Sequence, residues 1–232
     1  TSWEDDYSWV HQPNILEVLK DSSKLDPEVR KYLEEENNYT EHHLKDTKGI
    51  QKTLFDEIKG RIKLDDESIP FKDRNYEYWT KTTTKGNYSI KLRKKIGTDL
   101  IEEYWNGDEE KKKLNTEYFG VGDIEVSYND KILGYSLDLK GSEYYTIFLR
   151  DIETNKIISE KIEDTAGGIT FSLDDKFIFY SKLDKFHRPR KIYRHKIGDN
   201  ISNDKHQKQP KHHKNYKFSV LVHVNRIKYT CH

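Results

Sequence analysis

Positions 124–136 read IEVSYNDKILGYS, and positions 169–181 read ITFSLDDKFIFYS. The two align without a gap at an offset of 45, so that Ile124, Ser127, Asp130, Lys131, Tyr135 and Ser136 coincide with Ile169, Ser172, Asp175, Lys176, Tyr180 and Ser181. Each copy runs through aromatic and β-branched residues, breaks at an acidic pair and resumes. That is the pattern of two short antiparallel strands joined by a tight turn. A third strand follows in each copy, YTIFLR at 145–150 and RKIYRH at 190–195, and an earlier YSIKLR at 88–93 resembles the first of these. A sheet of three or four such strands has two apolar faces and cannot bury both alone, so successive copies must stack.

A period of about 45 residues with three or four strands per unit predicts β-propeller blades. The blades are expected at 69–112, 113–163 and 164–200, the first being the most divergent. A duplicated hairpin inside a β-sandwich is the alternative reading. Residues 1–68 carry a helical pattern instead. Asp26-Pro27-Glu28 is a helix start, and Val29, Tyr32, Leu33, Tyr39 and Leu44 follow it as an apolar stripe. Gly49 is expected to end or bend that helix, Leu54, Phe55, Ile58 and Ile62 form a second stripe, and NILEVLK behind Pro13 forms a further short helix. The fold class predicted is α+β: a helical segment, then an incomplete propeller of about three blades, with the pattern of an α/β-hydrolase domain absent. Residues 201–232 read as a divergent, disordered tail.

Composition narrows the function. The 41 basic residues balance 41 acidic ones, which removes the basic excess of a nucleic-acid-binding protein. The run Lys111-Lys112-Lys113 reads as a solvated loop. No apolar run reaches the roughly 18 residues of a membrane span, and TSWEDDYSW lacks the build of a signal peptide. Cys231 is the single cysteine, so no internal disulfide is available. A cytoplasmic protein without membrane or nucleic-acid partners is expected. The absence of methionine suggests that Thr1 is not the first translated residue.

DDYSWV at 5–10, PEVRKYLEEENNYTE at 27–41 and TLFDEIKGRIKLDDESIP at 53–70 resemble the opening of the oligopeptidase B (protease II) group of the prolyl oligopeptidase family. FGVGDIEVSYND, YYTIFLRDIETNK and KIYRHKIG resemble that group's first propeller blades in the same order. The resemblance runs from residue 1 to about 199 and then fades, as a changed reading frame or gene decay would produce. It implies a serine peptidase that cleaves short peptides after Lys or Arg. In that plan a helical segment packs on an α/β-hydrolase domain, and a propeller caps the active site. The triad and the pocket for basic side chains belong to the hydrolase domain, and this chain corresponds to about the first third.

No catalytic, cofactor-binding or metal-ligating residue is assigned. Gly134-Tyr135-Ser136-Leu137-Asp138 approaches the G-x-S-x-G nucleophile elbow but lacks its second glycine, and Ser136 recurs as Ser181 in the next copy. His187 and His195 read as surface or edge residues of blades. Gly120-Val121-Gly122 has no helix after it to hold a phosphate. Asp65-Asp66-Glu67 lacks metal-loop spacing and reads as a solvated hinge. His206, His212, His213, His223 and His232 lie in the last 32 positions without metal-ligand spacing. The function expected is the gating, non-catalytic part of such a peptidase, inactive alone. Two other readings fit the same residues: a free-standing module that pairs with a separately encoded catalytic half, and a truncated or decayed gene product.

Overall fold

The structure, a computed structural model, describes residues 4–207. The chain divides into two compact units, one ending at Thr116 and one beginning at Glu117. The change from helix to strand expected at residue 68 therefore falls inside the first unit.

The first unit opens with α1 (Ile15–Lys20), α2 (Pro27–Leu44) and α3 (Lys48–Gly60). Asp26 caps α2 as its residue type requires, its carboxylate accepting from the amides of Glu28 at 2.8 Å and Val29 at 3.3 Å. Gly49 does not break the helix. The interruption is a 3-10 turn at Lys45–Thr47, where Thr47 Oγ1 donates to the Leu44 carbonyl. Within α2 and α3 only Val29 is buried. Leu33, Tyr39, Leu44, Leu54, Phe55 and Ile58 all stand exposed, Phe55 to 61%.

Five strands follow: β1 (Asp66–Glu67), β2 (Phe71–Asp73), β3 (Tyr76–Thr82), β4 (Ile90–Lys95) and β5 (Ile101–Asn106). They pair antiparallel in the order β1-β3-β4-β5, with β2 also on β3. Asp65-Asp66-Glu67 is not a hinge, because the segment is tied to that sheet. Asp65 accepts from the Thr84 amide, Asp66 pairs with Lys63, and Glu67 meets Trp79 Nε1 and Lys81. The lysine run is not a loop either. Lys111–Lys113 form the last turn of α4 (Gly107–Leu114), where cations complement the helix dipole. Asn106 caps its start, acids fill its first turn, and Asn115 ends it in the left-handed conformation.

The second unit is one antiparallel sheet of seven strands in strict sequence order. They are β6 (Gly120–Val126), β7 (Ile132–Asp138), β8 (Tyr145–Asp151), β9 (Ile162–Phe171), β10 (Phe177–Leu183), β11 (Pro189–Lys196) and β12 (Lys205–Gln207). The strand β12 and the 3-10 turn at Ile201–Asn203 lie past residue 200, so regular structure continues into the segment expected to be disordered. The rest of that tail, 208–232, lies outside the described residues.

Long β9 serves both copies of the repeat. Its first half pairs with β8 through Ile162 and Thr165, its second half pairs with β10 through Ile169, Thr170 and Phe171, and Thr165 is shared, pairing also with Lys182 of β10 past a register shift. The strand changes partner around Gly167, whose φ of +91° suits glycine. Each copy thus has four strands, β6-β7-β8 plus the first half of β9, then the second half of β9 plus β10-β11-β12. The two copies pack face to face through Ile147, Leu149, Ile162, Ile169, Phe171, Ile178 and Tyr180. Burying these seven side chains contributes on the order of 10–20 kcal/mol before chain entropy is counted. That outweighs any single polar contact, so apolar burial holds the copies together and hydrogen bonds set their register.

The acidic turns are superimposable in their bonding. Ser127 Oγ donates to Asn129 and accepts from the Ile132 amide, while Ser172 Oγ donates to Asp174 and accepts from Phe177. Asp130 and Asp175 both take positive φ, 62° and 55°. Asn and Asp tolerate that conformation better than other residues, which explains why the acidic pair recurs.

Gly167 gives a testable consequence. A Cβ there would lie 3.0 Å from the Tyr145 ring, at a φ that L-residues avoid. Gly167→Ala is expected to destabilise the chain by about 2 kcal/mol. Gly168→Ala, where a Cβ meets nothing within 4 Å, is the control and should be close to neutral. Urea denaturation of the two variants compares them, and equal midpoints would remove the partner-switch argument.

Candidate functional site

The residues singled out in sequence are not gathered at one place. Ser136 is fully buried on β7. Its Oγ accepts from the Asp123 amide at 2.9 Å and donates to the Gly167 carbonyl at 2.6 Å, which fastens β6 to the bend of β9. Asp123 completes that joint by accepting from the Ile169 amide at 2.9 Å. Gly122 has a packing reason, since a Cβ would stand 2.6 Å from Ser136 Oγ and 2.7 Å from the Tyr145 ring. His187 sits in the turn between β10 and β11, 3.1 Å from the Ser142 carbonyl and edge-on to Tyr144. Ser142 and His187 are themselves 45 residues apart, so this contact also links equivalent loops.

His195 is not a surface residue. It lies on β11 with no exposure at all. Its Nδ1 is 2.7 Å from Asp204 and its Nε2 is 3.0 Å from Ser159 Oγ. The other oxygen of Asp204 accepts from the Tyr180 hydroxyl at 2.6 Å. Burial and then the Asp204 carboxylate push the Tyr180 hydroxyl well above the usual tyrosine range, so it stays a donor. The two ring nitrogens are thus both engaged, Nδ1 with the Asp204 carboxylate and Nε2 with the Ser159 hydroxyl.

Ser159, His195 and Asp204 therefore have the connectivity of a catalytic triad. Connectivity alone does not make one. A base must pass its proton to a leaving group, and both ring nitrogens here are enclosed and occupied by protein partners. The cluster satisfies buried polar groups and clasps three elements: the approach to β9, β11, and the turn before β12. Sequence reasoning missed it because Asp204 lay in the expected tail. One signal was present, since His195 occupies the repeat position of Arg150, and both are buried. Arg150 lies over the Tyr135 ring at 5.1 Å, where His195 reaches Tyr180 through Asp204.

Among the described residues, no group of three or more His, Cys, Asp or Glu side chains is placed to hold a metal ion. No described helix is long and apolar enough to cross a membrane. An open cleft on the helical segment is lined by Trp9, His11, Gln12, Pro13, Asp26 and Val29 among others, and Asp26 is already committed to capping α2.

Four-stranded units in strict antiparallel order, repeated and packed through one apolar core, and preceded in sequence by a helical segment, place this chain in the β-propeller class. Residues 2–223 match the family domain described as "Prolyl oligopeptidase, N-terminal beta-propeller domain". The chain belongs to the prolyl oligopeptidase family. It is 26% identical over 215 residues to dipeptidyl aminopeptidase BI of Pseudoxanthomonas mexicana, covering 86% of this chain and 28% of that protein. Protease 2 of Moraxella lacunata is 24% identical over 208 residues, covering 87% and 28%. The structure of oligopeptidase B from Leishmania major superposes with a TM-score of 0.76 at 24% identity, covering 88% of this chain and 28% of that one. The chain thus spans a little over a quarter of the length of these relatives. The family match also runs to residue 223, past position 200 where the resemblance was expected to fade.

Proposed function

We propose that this chain is the N-terminal gating part of an oligopeptidase-B-like serine peptidase acting on short peptides after Lys or Arg. The chemistry would be supplied by an α/β-hydrolase part outside these 232 residues. The described residues would amount to about three blades, the five-stranded sheet of β1–β5 and the two four-stranded halves that share β9. The observation that carries this reading is the match of nearly the whole chain to the propeller domain of the family.

A second observation supports the partner. Phe55 and Ile58 on α3, and Leu33 and Leu44 on α2, are exposed apolar side chains on an otherwise charged helical segment. Large exposed apolar patches mark interaction surfaces, and a hydrolase domain is the partner that the proposed plan calls for. A cytoplasmic location goes with this reading.

The test is hydrolysis of chromogenic peptides ending in arginine or lysine. The chain alone is expected to release no chromophore. Reproducible release that a serine-directed inhibitor abolishes would overturn its inactivity in isolation.

A further inference from the structure

The hairpin between β10 and β11 ends in a tip that its own bonds hold in one shape. The Asp184 amide donates to the Arg188 carbonyl and the His187 amide to the Asp184 carbonyl, which closes a tight turn with Lys185 and Phe186 at its apex. The Asp184 carboxylate accepts from the amides of Phe186 at 2.8 Å and Arg188 at 3.1 Å, and Arg190 pairs with its other oxygen at 3.0 Å. His187 holds a φ of 57°, a conformation that costs a non-glycine residue energy unless its surroundings impose it. Here the Ser142 carbonyl and the Tyr144 ring hold the imidazole from the neighbouring loop.

A turn fixed so firmly needs only polar residues at its apex. This one carries Phe186 there, 60% exposed, with the Lys185 ammonium 5.0 Å from the ring centroid. Residues 182–191 hold five cations and one carboxylate, in a chain whose formal net charge is zero. Asp184 is committed to Arg190 and to the turn amides, so the other cations are not neutralised by it. Among the described residues Lys185, Arg188 and Lys191 make no ion pair, and all three are exposed. The neighbouring loop of residues 139–144 adds Lys140 and Glu143, whose charges cancel.

We infer that the β10–β11 tip is a peripheral membrane-binding site, which seats Phe186 in the headgroup region of an anionic lipid surface with Lys185, Arg188 and Lys191 around it. An apolar ring suits the boundary between headgroups and acyl chains, and the cations beside it are drawn to anionic lipid. Shape decides against nucleic acid as the partner. A single strand is held along a cationic groove with several stacking rings, whereas this is a projecting hairpin end with one. The expectation of no membrane partner rested on the lack of an apolar span, and a tip that lies in the interface needs none. The inference does not rest on the peptidase reading, since it concerns an exposed surface of this chain.

The test is co-sedimentation of the full 232-residue chain with vesicles of phosphatidylcholine alone, or of an equal mixture of phosphatidylcholine and phosphatidylglycerol. Binding to the mixed vesicles should be at least about tenfold tighter than to the neutral ones. Phe186→Ser should weaken it about tenfold, and Lys185→Gln with Arg188→Gln about twentyfold. Lys48→Gln with Lys85→Gln removes the same charge from exposed positions of the first unit and should change binding less than about twofold. Residues 208–232 are present in every variant, so whatever they add is common to all. All four substituted positions are exposed, and unchanged urea midpoints establish that each variant is folded. Equal binding to both kinds of vesicle would overturn the inference, as would tip variants that bind like the parent. A Phe186→Ser variant with full affinity would also overturn it, because charge alone would then explain the attraction. Tighter binding to a single-stranded oligonucleotide than to the mixed vesicles, lost in the same tip variants, would assign the tip to nucleic acid instead. None of these outcomes touches the peptidase reading, which stands or falls on the hydrolysis assay.

Discussion

Replacing His195 with alanine is expected to cost about 4 kcal/mol of stability, the largest loss for any single polar residue of the second unit. The Asp204 side chain is only 6% exposed and keeps just the Tyr180 hydroxyl once the imidazole is gone. A buried carboxylate stripped of a partner loses far more than the pair contributed, because its desolvation is no longer offset. The deleted ring also leaves a void beside Tyr180 and Ser159. Ser159→Ala should cost much less, about 1 kcal/mol, since Ser159 is half-buried and water can replace its hydroxyl. The two variants separate a clasp from a catalytic relay. A relay would make the serine the sensitive position for function, whereas a clasp makes the histidine the sensitive position for folding. Urea denaturation gives both values. Amide exchange should also show β12 opening first in His195→Ala, because Asp204 immediately precedes that strand. A loss under about 1 kcal/mol for His195→Ala would refute the clasp.

How much of this was legible in the sequence depends on how local the cause was. The Asp26 cap, the strand-turn-strand repeat and the acidic turns are decided by residues a few positions apart, and Ser127 with Asn129 and Ser172 with Asp174 made them visible. What escaped was long-range. Gly167 looks like an ordinary loop residue until β9 is seen changing partner there. The segment Asp65–Glu67 is solvated as expected, but it reads as a hinge because its partners, Thr84, Trp79 and Lys81, lie 12 to 19 residues away. Lys111–Lys113 were misread for another reason: a charge run suggests a loop, but Asn106 and the acids after it start a helix whose end wants cations. His195 was misplaced because its partners come from 36 positions before and nine after, the latter in a segment whose composition suggested disorder.

The second large effect is expected at Asp175. Asp175→Ala should destabilise the chain by about 3 kcal/mol, because two carboxylate–amide bonds at 2.7 Å are lost together. Part of the loss has a different origin, since alanine is strained at the φ of 55° that Asp175 holds. Asp175→Gly separates the two contributions. Glycine keeps the backbone conformation and removes only the carboxylate, so it should recover about 1 kcal/mol of the loss and no more. Asp174 provides the comparison within the same turn. Hydrogen bonds from Ser172 and then the Lys176 amide hold its carboxyl below the ordinary 3.8, and all of them stay inside one copy of the repeat. Its removal should loosen that turn while leaving Tyr128 and Asn129 in place. If Asp175→Gly is as stable as the parent chain, the bond between copies contributes nothing and the repeats are held by apolar packing alone. If it loses about 2 kcal/mol and frees the Tyr128 and Asn129 amides to exchange, a charged residue in a surface turn acts as the rivet between stacked sheets. Asp175 then answers to two demands at once, a turn that needs positive φ and a neighbouring copy that needs a carboxylate.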